Sequence, residues 1–204
     1  MYTVRVKTAP AIEPIFSDDA AVEALIPSVR QQVEAYLRRA LITQTLELHL
    51  DAFRDPYAAT GQYQFSHANR EIYLPRPPLQ SVTAIRYRTL AGDEKTLDSD
   101  QYRVDTRSEP GRVYPLIAVG WPTDLDTHGA VTIEYVAGYG GSDGDVPDVI
   151  REAILSYAKG LASRLSRPGV TSESIDNASR TYEANGGQLP GLTQVMLQPY
   201  RVMM

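Results

Sequence analysis

The sequence predicts an α+β fold: a small helical core made by an N-terminal and a C-terminal helix, an antiparallel β lobe inserted between them, and an extended C-terminal arm. The first sign is the period of the apolar residues, which is helical at about 18–40, alternates over about 43–137, and is helical again at 147–166. The second is that the links between alternating segments are too short for helical crossovers, so those strands must pair antiparallel. The third is the loss of sustained period after Gly169, which divides the chain into a core domain, 1–168, and an arm, 169–204.

The first helix is read from "SDDAAVEALIPSVRQQVEAYLRRAL". Val22, Leu25, Ile26, Val29, Val33, Tyr36 and Leu37 recur at steps of three and four and so form one stripe. Ser17 or Asp18 suits the cap position, where a side-chain oxygen accepts a bond from a free amide of the first turn. Arg38 and Arg39 suit the negative end of the dipole. Pro27 sits inside the pattern, and its missing N–H predicts a kink or a restart there.

From "TQTLELHL" the period becomes two, with Leu46, Leu48 and Leu50 on one side and Thr45, Glu47 and His49 on the other. "SVTAIRYR" sets Ile85 and Tyr87 against Arg86 and Arg88, and "AVTIEYV" sets Val131, Ile133 and Tyr135 against Thr132 and Glu134. "QYRVD" and "RVYP" flank "SEPG", where Pro110 and Gly111 suit a type II turn with the glycine at positive φ. Pro75, Pro77 and Pro78 cannot donate to a ladder, so they end one strand and steer the chain to the next. Trp121, the single tryptophan, lies between strands and is read as the anchor of the β lobe, with an intersubunit contact as the other reading.

In "VPDVIREAILSYAKGLASRL" the stripe is Ile150, Ile154, Tyr157, Leu161 and Leu165. Pro147, Asp145 and Asp148 belong at a helix start, Arg164 and Arg167 at its end. The arm opens polar and glycine-bearing, then ends in the apolar "LTQVMLQPYRVMM", for which the sequence offers no partner. Such a segment either orders on a partner or folds back on its own domain.

The composition narrows function more than it names it. A chain of 204 residues can bury roughly 70% of its extended surface around one core. With 20 Lys and Arg against 25 Asp and Glu, the net charge of −5 argues against gripping nucleic acid over a broad basic face. There is no cysteine, which excludes disulfides and thiolate metal sites. No stretch approaches about 18 apolar residues, and "MYTVRVKTAP" lacks a signal-peptide core, so the product is expected to be soluble and intracellular when made. "GYGGSDGD" misses the glycine spacing of a phosphate loop, and Asp143 and Asp145 would repel a phosphate, so it reads as a strand-to-helix turn. "DLDTH" offers Asp124, Asp126 and His128 at alternate positions but sits between Pro122 and Gly129, as a solvated loop does. His49, His67 and His128 share no metal spacing, and no G-x-S-x-G elbow occurs. These residues support no catalytic site, no metal site and no cofactor.

Five blocks carry a resemblance: "VEAYLRRALITQTLEL", "IYLPRPPLQSVTAIRYR", "LDSDQYRVDTRSEPGRV", "GWPTDLDTHGAVTIEYVAGYG" and "VPDVIREAIL". In that order, over roughly residues 15 to 165, they resemble the head-tail connector (adaptor) family of tailed bacteriophages and gene transfer agents. The resemblance implies a nonenzymatic virion protein at the neck, made in the host cytoplasm, that forms a homo-oligomeric ring, a dodecamer if it follows the portal. It implies as partners the portal protein and a stopper, head-completion or tail protein, with genomic DNA passing through the lumen without specific binding and no membrane. Val29, Val33, Tyr36, Ile154, Tyr157 and Leu161 are then candidates for helical packing or the subunit interface. Tyr182, Leu189, Leu192, Val195, Met196, Leu197, Tyr200, Val202 and Met203 are candidates for a portal-binding arm. A hydrolase-type enzyme and a soluble β-rich binding module are the alternatives. The sequence departs from the family pattern in lacking a short helix before Asp18 and Asp19, and in the long tail after Gly169.

Overall fold

The structure is a computed structural model that describes residues 3–8, 20–54, 71–165, 172–175, 178–181 and 189–203. These fall into two units. The β unit comprises 3–8, 38–54, 71–141 and 202–203, and the helical unit comprises 20–37, 142–165, 172–175, 178–181 and 189–201.

In the β unit, β1 (Thr3–Thr8), β2 (Gln44–Leu50), β4 (Leu79–Arg88), β5 (Glu94–Thr96) and β8 (Val131–Ala137) form a five-stranded sheet in the order β1-β2-β8-β4-β5. A second sheet joins β3 (Ile72–Tyr73), β7 (Arg112–Pro115) and β6 (Tyr102–Asp105) in the order β3-β7-β6. Every pairing is antiparallel, as the short connections require. Leu46, Leu48 and Leu50 of β2 are buried, and Ile85, Ile133 and Tyr135 join them from β4 and β8. Register explains the match, because Leu48 faces Ile133 and Ile133 faces Ile85, which keeps the apolar positions of three strands on one face. Ile72, Tyr102 and Val113 of the smaller sheet belong to the same core.

The proline run does more than end a strand. Prolines cannot donate, but their carbonyls accept: Pro75 O from the Tyr135 hydroxyl at 2.9 Å, Pro77 O from Ala40 N–H at 3.2 Å, and Pro78 O from Gly138 N–H at 2.9 Å. The segment between β3 and β4 is thereby tied to the central strand and to both neighbouring connections. The Pro77–Pro78 and Glu109–Pro110 bonds are cis. The type II turn expected at Pro110–Gly111 is not formed, and Gly111 does not have positive φ. Glycine is needed there for room, since a Cβ would stand 2.5 Å from the Leu79 Cβ.

In the helical unit, α1 (Ala20–Leu37) runs uninterrupted through Pro27, with no restart. Pro27 is exposed, so the turn that loses a backbone bond there lies at the surface. Ser17 and Asp18 lie outside the described residues. Arg38 and Arg39 are not in the last turn: Arg38 adopts a left-handed conformation at φ 57 just past the helix, and Arg39 bonds Glu109 at 2.6 Å. Arg30 and Glu34 are buried beside the expected stripe. The second helix, α2 (Asp148–Leu165), packs against α1 with Ile150, Ala153, Ile154, Tyr157 and Ala158 buried. Residues 172–175 (β9) and 178–181 (β10) pair as a two-stranded antiparallel sheet. Within the stretch expected to be an extended arm, Gly191–Leu197 form a helix, α3, packed on α2 and followed by a single 3-10 turn, Gln198–Tyr200.

Candidate interaction surfaces

The helical unit positions its functional candidates by helix-on-helix packing. Val29 and Val33 on α1, and Ile154 and Tyr157 on α2, are buried, while Tyr36 and Leu161 are half-buried at the margin. The Tyr157 hydroxyl donates to Gln32 Oε1 at 2.9 Å, which satisfies a polar tip at the edge of the apolar seam. Four of the six, Val29, Val33, Ile154 and Tyr157, are therefore taken up by packing within the chain.

The arm candidates separate into three sets. Leu189, Leu197 and Val202 are buried, Met196 and Tyr200 are half-buried, and Leu192, Val195 and Met203 stand in solvent, the first two 73% and 71% exposed. Tyr182 lies outside the described residues. On α3 the buried Thr193 and Leu197 are four apart and therefore share one side, and Leu192 and Val195 share the other. Tyr36 fastens the chain just past α3: its hydroxyl donates to Gln198 Oε1 at 3.4 Å, and the Arg201 guanidinium lies 5.0 Å above its ring. The Gln194 N–H donates to Pro190 O at 2.9 Å in the first turn, and its side-chain Nε2 donates to Leu189 O at 2.7 Å.

In the β unit, Trp121 is half-buried and stacks on Phe53, with ring centroids 4.7 Å apart and planes within 7°. Phe53 meets Tyr87 edge-on at 5.9 Å, so the three rings continue the sheet core outward. Just before Trp121 the chain makes a tight turn. Val119 N–H and Gly120 N–H both donate to Leu116 O, at 3.1 and 3.0 Å, and Gly120 supplies the positive φ, 71, that the reversal needs. At its tip Ile117 is 87% exposed and Val119 55%. Leu116 N–H donates to Gln101 O at 3.0 Å, so this turn lies beside the one that carries Asp98 and Asp100.

The remaining motifs are structural. Asp126 accepts from Thr127 N–H at 2.7 Å and from Arg88 Nε at 2.6 Å, and those bonds hold its carboxyl below the usual carboxylate range. Arg88 also bonds His128 O at 3.0 Å, so "DLDTH" is a loop clamped by an arginine of β4. Among the described residues no group of three His, Asp or Glu is placed to hold a metal. No described helix is long and apolar enough to cross a membrane. In "GYGGSDGD", Asp145 accepts from Ser142 N–H and Oγ at 3.1 and 3.0 Å, and Arg151 pairs with Asp148 and, at 3.8 Å, Asp143. The acids at this helix start serve the turn itself. Sequence reasoning did not single out the Leu116–Gly120 turn, although "LIAVG" holds four aliphatic side chains and a glycine with no charge between them, which was the available signal.

No family model and no curated protein matches this sequence. Solved structures do. A chain from the neck of an empty GTA particle computed with C6 symmetry is 20% identical, with a TM-score of 0.63 over 93% of this chain and 81% of that one. A chain from the virion of a native gene transfer agent (GTA) particle is 19% identical, with a TM-score of 0.60 over the same shares. A chain from the neck of a native GTA particle computed with C12 symmetry is 20% identical, with a TM-score of 0.58 over 91% and 84%. The mixed fold of helices and antiparallel sheets is thus shared with components of such particles.

Proposed function

We propose that this chain is a head-tail adaptor, a nonenzymatic structural protein of a virion neck. It forms a ring below the portal, joins the DNA-filled capsid to a stopper or tail protein, and lets DNA pass. The likeness of fold to chains of GTA particle necks, across 93% of this chain, carries the reading. The five sequence blocks support it independently, since they are properties of the residues and not of the backbone path.

A closed ring of more than two copies needs two different faces on each subunit. The symmetries of the similar necks, C6 and C12, support a cyclic homo-oligomer, and the portal's symmetry favours twelve copies. Because Val29, Val33, Ile154 and Tyr157 are buried within one subunit, contacts with a neighbour fall to the helix flanks, including half-buried Tyr36 and Leu161. The portal is assigned to the arm, through the solvent-facing Leu192 and Val195 of α3, whose buried Leu197 docks it in the helical unit, with Tyr182, Leu189, Met196, Tyr200, Val202 and Met203 as the further candidates. Trp121 anchors the β unit. DNA passes a chain of net charge −5 without being held, and the chain is made in the host cytoplasm before it enters the particle.

Electron microscopy of particles carrying a tagged copy of the chain tests this. The tag is expected in a single ring between head and tail. Density in the capsid shell or the tail tip would refute the proposal, as would particles whose necks form without the chain.

A further inference from the structure

We infer that the turn Leu116–Gly120 is a docking wedge for a protein other than the portal, one whose surface offers an apolar pocket rimmed by arginine or lysine. The inference rests on the adaptor reading, in which that protein is the neck component on the tail side.

Exposure at this turn is built in. Leu116 O accepts two backbone bonds, Leu116 N–H is bonded to Gln101 O, and the following Trp121 is stacked on Phe53, so the backbone beneath Ile117 is fixed from both sides. Fixed exposed aliphatic residues lose little freedom on binding, which is the property of a preorganised anchor. Isolated exposed apolar residues are common, but Ile117 and Val119 are adjacent members of one turn and have only Ala118 between them.

Charge selects the occupant. Asp98 and Asp100 lie in the neighbouring turn, which Leu116 touches through Gln101, and Asp124 follows Trp121 by three residues. All three are exposed and without an ion-pair partner among the described residues, and residues 116–124 contain no cation. Acids around an apolar tip repel DNA phosphates and anionic lipid, and they favour a cationic rim. A second copy of this chain fits poorly, because its net charge is −5. The stretch 189–203 is different, apolar with Arg201 and no acid, but the adaptor reading gives that stretch to the portal. Two apolar patches in opposite charge settings are suited to two different partner surfaces.

The test uses particles assembled in cells on wild-type chain, on Ile117→Asp, and on Asp98→Lys/Asp100→Lys. The chain is quantified in purified heads by mass spectrometry, and tails are counted by negative-stain microscopy. The inference expects Ile117→Asp to enter heads at the wild-type level while tail attachment falls by at least about tenfold, with a smaller fall for the charge reversal. Ile117→Leu should restore attachment. Normal tails on both variants would overturn it. So would loss of a folded variant from the heads, which would give the turn to the ring or the portal instead. The charge reversal decides the case if Ile117→Asp does not fold. Absence of the wild-type chain from necks would instead overturn the adaptor reading itself.

Discussion

Gly111 shows at the scale of one residue how the right residue can be read for the wrong reason. "SEPG" is part of the link between β6 and β7, as expected, but the glycine is there because the backbone entering β7 approaches Leu79 too closely for any side chain. That approach is long-range and invisible to a local pattern. Gly111→Ala should therefore cost about 1–3 kcal/mol through overpacking, measured by urea unfolding. A glycine serving only a flexible turn would show no loss. Trp121 offers a second test. It stacks on Phe53 at the margin of the core, so Trp121→Ala should destabilise the isolated chain by about 3 kcal/mol, the low end for an aromatic that keeps some exposure. Unchanged urea stability combined with failed assembly would move Trp121 from the core to an interface.

Elements were legible where one face is buried and the period is long. Most of the expected positions on α1, α2, β2, β4 and β8 are buried, but Leu25, Tyr36, Tyr87 and Leu161 are half-buried and Leu165, at the end of α2, is exposed. What escaped were elements whose order comes from a partner. β5, "EKT", is exposed throughout and exists because β4 supplies its ladder. β1 alternates Val4 and Val6 with polar residues but is too short to announce itself without β2 beside it. The seven residues of α3 are well below the roughly 12–15 that an isolated helix needs, so it forms because Thr193 and Leu197 dock in the helical unit. An arm ordered only on another protein would be silent when weakened in the free chain, whereas α3 should not be. Leu197→Ala is expected to speed hydrogen exchange of the 191–197 amides in the isolated protein by at least about tenfold, while β8 amides keep their protection. Equal exchange in both proteins would mean that α3 is already undocked in solution.

At the scale of the whole molecule, the class of fold was legible and its connectivity was not. The order β1-β2-β8-β4-β5 places the first strand at one edge and the eighth in the centre, and no local signal encodes that. Charge, by contrast, is a whole-chain property that reads directly. A net charge of −5 should leave the isolated protein without measurable affinity for double-stranded DNA at about 150 mM salt in a gel-shift assay, and a shift there would count against the proposal that DNA passes without being held.

The same charges set the response of the β unit to acid. Asp51 is held below the ordinary range first by the Gly129 N–H, Asp105 first by the Arg107 N–H, and Asp126 first by the Thr127 N–H and then by Arg88. Each bond links or closes a loop at the ends of strands, so losing it loosens the connections before the core. The sign follows from the direction of the shifts. A carboxyl whose folded pKa is depressed adds stability that is fully present above its unfolded value of about 3.9 and is lost as pH falls through the lower folded value. Urea stability should therefore be flat from pH 7 to about 5, then decline progressively below about pH 4 as the three carboxyls protonate. Asp126→Asn removes one of them, and its curve should lie below wild type at pH 7 and converge on it at low pH. A constant offset between the two curves across that range would show that the Asp126 carboxylate is not what holds its loop.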